Sequence, residues 1–172
     1  MVFRREDDFV RWLGRRLEAT GRGLTLGIGD DAALVRTTPG RELILTSDWT
    51  IEDVHFRLKL HPADSVGHRA LARSLSDVAA MGGRPRFALV SLAISKGLPD
   101  AWTKGFYGGM SRLARRFGVA IVGGDTSVVP ARICVDVVVV GEVLRGRGPG
   151  GRPHPVGGVW GGNERLQSSS RR

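Results

Sequence analysis

Two long amphipathic stretches, each opening at a proline, constrain this chain more than any other feature. In residues 62–81 the apolar positions Val66, Ala70, Leu71, Leu75 and Val78 recur at helical spacing behind Pro62. Proline suits a first helical turn because its missing N–H has no partner to lose there. Gly82-Gly83 then stops the helix. Residues 99–117 repeat the pattern, with Trp102, Phe106, Met110, Leu113 and Phe117 as the expected buried set. Between and beyond these helices lie short apolar runs, 87–94, 119–122 and 133–140, that read as strands. A further helix is predicted over 6–19 from Phe9, Val10, Leu13 and Leu17, ended by Gly21-Arg-Gly23. Extended segments follow near 24–28, 32–36 and 41–48, with Thr37-Thr-Pro-Gly40 as a turn between the last two. Helix, strands, helix, strand, helix, strand, strand predicts an α+β fold: a mixed, mostly antiparallel sheet with helices on one face.

At 172 residues the chain has the length of one domain able to bury a core. No apolar run approaches the ~20 residues of a membrane span, and the N-terminus turns acidic where a signal peptide turns apolar. Cys134 is the single cysteine. It excludes an internal disulfide and a cysteine zinc site, and reads as a small packed hydrophobe. A cytoplasmic location and no membrane partner are expected. The net charge of +9 suggests nucleic acid, but its distribution argues otherwise. Residues 141–172 hold six Arg and two Glu, four of the nine net charges, and lysine is confined to Lys59, Lys96 and Lys104. No nucleic-acid partner is expected.

Beyond Glu142 the composition changes. Residues 145–162 contain eight Gly and three Pro, and the end, Gln167-Ser-Ser-Ser-Arg-Arg172, has no apolar face to bury. Such a segment cannot offset the entropy of ordering it. The expected organisation is a domain over 1–142 and a disordered tail over 143–172, the abrupt change suggesting a shifted reading frame. An uninterrupted genuine frame in the sequenced gene refutes that origin.

Four segments set acids among glycines and small residues: Leu26-Gly-Ile-Gly-Asp-Asp-Ala-Ala-Leu34, Thr46-Ser-Asp-Trp49, Leu75-Ser-Asp-Val-Ala-Ala-Met-Gly82 and Gly123-Gly-Asp-Thr-Ser127. Mg²⁺ takes oxygen ligands and is typically shared between carboxylates and substrate phosphates. Gly27-Ile-Gly-Asp-Asp-Ala32 has the spacing of a dinucleotide fingerprint, but Asp30 and Asp31 repel a pyrophosphate unless a cation intervenes. Each acid also has a plain structural reading. Asp30-Asp31 can cap a turn, Asp48 can end a strand, Asp77 can pair with Arg73 one helical turn earlier, and Asp125 can close a turn after Gly123-Gly124. His55 reads as a surface strand residue and Tyr107 as a core or boundary aromatic. His61, His68 and His154 lack metal-ligand spacing, and Glu52 and Asp53 read as solvated.

Taken together, these blocks, with Ser-Asp-x₄-Asp-Val-His-Phe and Arg-Ala-Leu-Ala-x₂-Leu-Ser-Asp-Val-Ala-Ala-Met-Gly-Gly, resemble the N-terminal half of thiamine-monophosphate kinases across about residues 3–142. That family shares a superfamily with aminoimidazole-ribonucleotide synthetase and selenophosphate synthetase. The lone Cys134 is wrongly placed for the reactive cysteine of selenophosphate synthetase. The resemblance implies the N-terminal domain fold of aminoimidazole-ribonucleotide synthetase and ATP-dependent phosphorylation of thiamine monophosphate to thiamine diphosphate. It implies Asp30, Thr46, Ser47, Asp48, Asp77 and Asp125 as ligands of several Mg²⁺ ions. Tyr107, Gly124 and Asp125 would meet ATP and His55 would contact thiamine monophosphate. It also implies a homodimer joined through strands. Such kinases carry a second α/β domain, which these 172 residues are not expected to contain; Arg152 falls near the family's ATP-contacting arginine in altered surroundings. A truncated form, weak or inactive, is expected. The alternatives are a non-catalytic dimerising nucleotide-binding module or another member of the same ATP-dependent superfamily.

Overall fold

The computed structural model describes residues 6–17 and 21–148. In chain order the elements are α1 (Glu6–Leu17), β1 (Leu24–Leu26), β2 (Leu34–Val35), β3 (Arg41–Ile51), α2 (Ala63–Ala80), β4 (Arg84–Ser95), α3 (Asp100–Phe117), β5 (Ala120–Val129) and β6 (Cys134–Leu144). Four strands form one sheet in the order β3-β6-β4-β5, and β1 and β2 form a small antiparallel pair. β6 runs antiparallel to both β3 and β4, while β4 and β5 are parallel and joined through α3. The sheet is therefore mixed and mostly antiparallel, as expected.

Alternation along β6 decides which side is core. Val135, Val137 and Val139 are fully buried, while Cys134, Asp136, Val138 and Val140 are half-buried on the opposite face. The valine face meets α2 and α3, whose Val66, Ala70, Leu71, Val78, Phe106 and Met110 are all sealed from water. The two helices pack unusually close. A Cβ at Gly67 would lie 1.9 Å from the Phe106 carbonyl oxygen, and one at Gly109 the same distance from that of Asp64. Such contacts require bare backbone at both crossings. Phe9 and Leu13 of α1 join this core, Phe9 meeting the rings of Trp12 and Tyr107.

The opposite face of the sheet is open on its β3 side. Leu43, Leu45 and Trp49 are 50–69% exposed, and Leu89 of β4 lies on the same face.

Four expectations shift. β3 continues to Ile51, so Thr46, Ser47 and Asp48 lie inside a strand instead of at its end. β5 likewise continues through Gly123-Gly124-Asp125 to Val129, because parallel pairing with β4 carries backbone that has no side-chain pattern of its own. Phe117, expected in the core, is 48% exposed in the last turn of α3, under the Arg116 guanidinium. β6 ends at Leu144, and the Arg145 N–H donates to the Gly40 carbonyl. Of the tail expected from residue 143, residues 149–172, with Arg152 and His154, lie outside the described residues.

Candidate functional site

The acids from the four segments fall into two groups. The first surrounds a cavity of about 750 Å³ at the β5 edge, lined by Phe9, Leu13, Asp30, Tyr107, Gly124 and Asp125, among others. That is the size range of small-molecule and cofactor sites. Asp30 and Asp125 are both exposed, and each accepts a hydrogen bond from the next residue's N–H, at 2.9 and 2.7 Å. Gly124 is obligatory: its φ is 143°, and a Cβ there would stand 1.9 Å from the Val90 carbonyl oxygen. Its bareness therefore serves the β4–β5 contact, and it also leaves the cavity wall without a side chain. Tyr107 reaches the cavity from α3 while only 2% exposed. Burial pushes its phenol above the ordinary tyrosine range, against a hydrogen bond with Thr126, so it stays protonated.

The second group sits where α2 lies over β3. Thr46 Oγ1 donates to Asp77 Oδ2 at 2.7 Å, and Arg73 Nη2 donates to Asp48 Oδ1 at 3.2 Å. Arg73 thus bonds across to the strand, and no Arg73–Asp77 helix pair forms. Burial pushes the Asp48 carboxyl above its ordinary value. The neighbouring Asp77 charge adds to this, and Arg73 opposes both. His55 belongs here too: desolvation first, then the Arg73 charge, lowers its pKa and keeps the imidazole neutral. Its Nδ1 accepts the Ile51 N–H at 3.0 Å, which leaves the proton on Nε2. The loop carrying it is fastened by Arg69 to the His55 carbonyl and by Arg132 to Asp53, whose φ is +64°.

Ser47 does not join the second group. Strand alternation turns it to the open face, where its Oγ donates to Asp136 Oδ1 at 2.6 Å. Asp136 was legible as an acid inside a valine run, but its partner on β3 depends on register: Trp49 pairs with Asp136, so Ser47 lies one diagonal step away. Glu52 is half-buried instead of solvated, accepting the Ile133 N–H at 2.9 Å. His61 is bound to the Arg57 backbone and His68 is exposed.

Register relates the two groups. Asp48 pairs with Val137, Val137 with Val90, and Val90 with Gly124. Three strand spacings separate them, roughly 14 Å. Among the described residues no three His, Cys, Asp or Glu side chains converge on one point. The donors are hard carboxylate and hydroxyl oxygens offered one or two at a time. That suits a cation completed by phosphate oxygens and water better than an all-protein cage.

Residues 29–143 match the family model of AIR synthase related protein, N-terminal domain. The chain belongs to this AIR synthase-related family. The family's sequence relatives include thiamine-monophosphate kinases. The one from Bacillus subtilis is 43% identical over 126 residues, covering 71% of this chain and 38% of that protein. The one from Mycobacterium tuberculosis is 39% identical over 143 residues, covering 83% and 40%. This chain therefore spans about two fifths of the length of the curated relatives it matches. Among solved structures, the thiamine-monophosphate kinase from Stenotrophomonas maltophilia superposes with a TM-score of 0.67 at 35% identity, covering 82% of this chain and 42% of that one. AaThiL complexed with AMPPCP and TMP gives 0.59 at 33%, covering 81% and 42%. The hydrogenase maturation protein HypE in complex with ATP gives 0.60 at 29%, covering 70% and 35%. The mixed α+β architecture is thus that of the AIR synthase-related N-terminal domain. Among the described residues no helix is long and apolar enough to cross a membrane.

Proposed function

We propose that this chain carries the nucleotide- and cation-binding half of an ATP-dependent phosphoryl transfer to thiamine monophosphate, giving thiamine diphosphate. The observation that carries the reading is an edge cavity bearing Asp30 and Asp125, three strand spacings across the sheet from the Asp48–Asp77 pair under α2. Identity to thiamine-monophosphate kinases and likeness to a relative holding AMPPCP and TMP support it.

In this reading ATP enters the cavity past Tyr107, with its phosphates along the bare backbone of Gly124 and Asp125. Asp30, Asp48, Asp77 and Asp125, with the Thr46 hydroxyl, would hold Mg²⁺; Ser47, bonded to Asp136 on the open face, stands away from the Asp48–Asp77 pair. When bound, Mg²⁺ offsets the repulsion between two phosphate-bearing substrates and stabilises charge on the transferring group. His55, neutral with its proton on Nε2, offers a hydrogen-bond donor to the acceptor phosphate. No protein nucleophile is required, so the chain's task is positioning and charge compensation.

The span of two fifths of the relatives supports weak or absent turnover by residues 1–172 alone. The exposed Leu43, Leu45 and Trp49 support pairing of two copies through the open sheet face. A cytoplasmic setting accords with the substrates. Because that face is present within residues 41–144, a dimerising nucleotide-binding module without turnover is the second reading. Thiamine diphosphate formation from thiamine monophosphate, ATP and Mg²⁺ tests the first, beside calorimetry of Mg²⁺-ATP. Binding without product selects the second reading, and no Mg²⁺-dependent ATP binding refutes both. Light scattering reads the dimer, and a monomer at all concentrations refutes it.

A further inference from the structure

Arg73 is a cation standing where the proposed function places a metal. Its guanidinium donates to Asp48 Oδ1 at 3.2 Å, with the two side chains 38% and 20% exposed. Asp77 follows one turn later on α2 and is held by Thr46. A divalent cation needs carboxylate lone pairs directly, and the guanidinium covers one of those on Asp48. An ion pair this open to water adds little to folding. The long arginine stem lets the head swing into solvent at small cost.

We infer that Arg73 is a resident counter-ion of the Asp48–Asp77 pair, which a divalent cation must displace from Asp48 in order to bind. This rests on the proposed cation site and adds a positioning residue to it. With Arg73 in place the carboxylate pair is part-neutralised and oriented, and its affinity for a bare cation is held down. Removing the guanidinium removes both the competitor and a repelling charge. For a half-exposed pair the gain is roughly three- to tenfold in cation affinity.

The test is titration of the full 172-residue chain with Mn²⁺, free metal being read by electron paramagnetic resonance, at neutral pH without nucleotide. Arg73→Gln binds Mn²⁺ roughly three- to tenfold tighter than the unaltered chain. Arg73→Lys, which keeps the charge, stays near the unaltered value. Arg73→Gln with Asp48→Asn loses the gain. Circular dichroism melts that agree within a few degrees show that the fold is not the cause. Equal or weaker binding by Arg73→Gln, or a gain that survives Asp48→Asn, overturns the inference while leaving the cation site standing. Failure of every chain to bind Mn²⁺, with Mg²⁺-ATP binding indifferent to Asp77→Asn, overturns the cation site and this inference with it.

Discussion

The two carboxylate groups are built in opposite ways. At the β5 edge, Asp30 and Asp125 stand exposed beside a cavity, each accepting the N–H of the residue after it and, among the described residues, no side-chain donor. Under α2, Asp48 and Asp77 are tied to side chains from neighbouring elements, Arg73 and Thr46. Exposed acids beside an open cavity are free, in the proposed function, to take their counter-charge from outside. Compensated acids at a helix–strand contact already contain part of it. The first group depends on backbone shape and the second on side-chain bonds, so mutations separate them.

Gly124→Val strikes the first group alone and has the largest expected effect. Its Cβ would overlap the Val90 carbonyl, so β5 must shift, costing about 3 kcal/mol or more in urea unfolding. A cost under about 1 kcal/mol breaks the claim that backbone shape builds this edge. Glu142, 3% exposed, supplies a purely structural benchmark far from either group's chemistry. Burial raises its carboxyl, but two hydrogen bonds from Thr38 and the charge and bond of Arg86 outweigh this and hold it below the ordinary range. A depressed carboxyl contributes stability that is fully present above its unfolded-state pKa and lost as pH falls through the folded one. Glu142→Ala leaves Arg86 without its acid, costs roughly 3 kcal/mol and flattens the acid limb of stability against pH. An unchanged acid limb refutes the benchmark.

The direct comparison is Asp48→Asn against Asp125→Asn. The first removes a charge that burial and Asp77 oppose more than Arg73 supports, so stability stays level or rises by up to about 1 kcal/mol, whereas the second stays within about 0.5 kcal/mol. Both lower Mg²⁺-ATP affinity tenfold or more by calorimetry, an estimate of about 1.4 kcal/mol of lost cation contact. A loss of more than about 1 kcal/mol in Asp48→Asn breaks this account of the second group. Tyr107→Phe is the gentlest probe. Losing the Thr126 bond costs about 1 kcal/mol at most and changes nucleotide affinity only a few-fold. A tenfold loss assigns Tyr107 a larger part in the cavity than lining it.

Much of this was legible in the chain. The stripe Val66, Ala70, Leu71, Leu75 and Val78 is buried as its spacing requires, and Pro62 and Pro99 flank the helix starts. The blocks around Asp30, Asp48, Asp77 and Asp125 marked the family that residues 29–143 match. Less legible was the strand through Gly123-Gly124-Asp125, because two glycines carry no alternation to read. Phe117 followed the helical period yet lies at the end of α3, beyond what the sheet covers.

The sequence by itself determined the elements, the layering and which blocks carry the family likeness, because periodicity, helix breakers and local composition act over a few residues. Tertiary structure alone decided the partners. It gave Asp48 to Arg73 instead of leaving Arg73 to Asp77, turned Ser47 away to Asp136, and set Asp48 three strands from Gly124. Those choices depend on strand register and on which face of a pleat meets a helix, and a one-residue change in either reverses them.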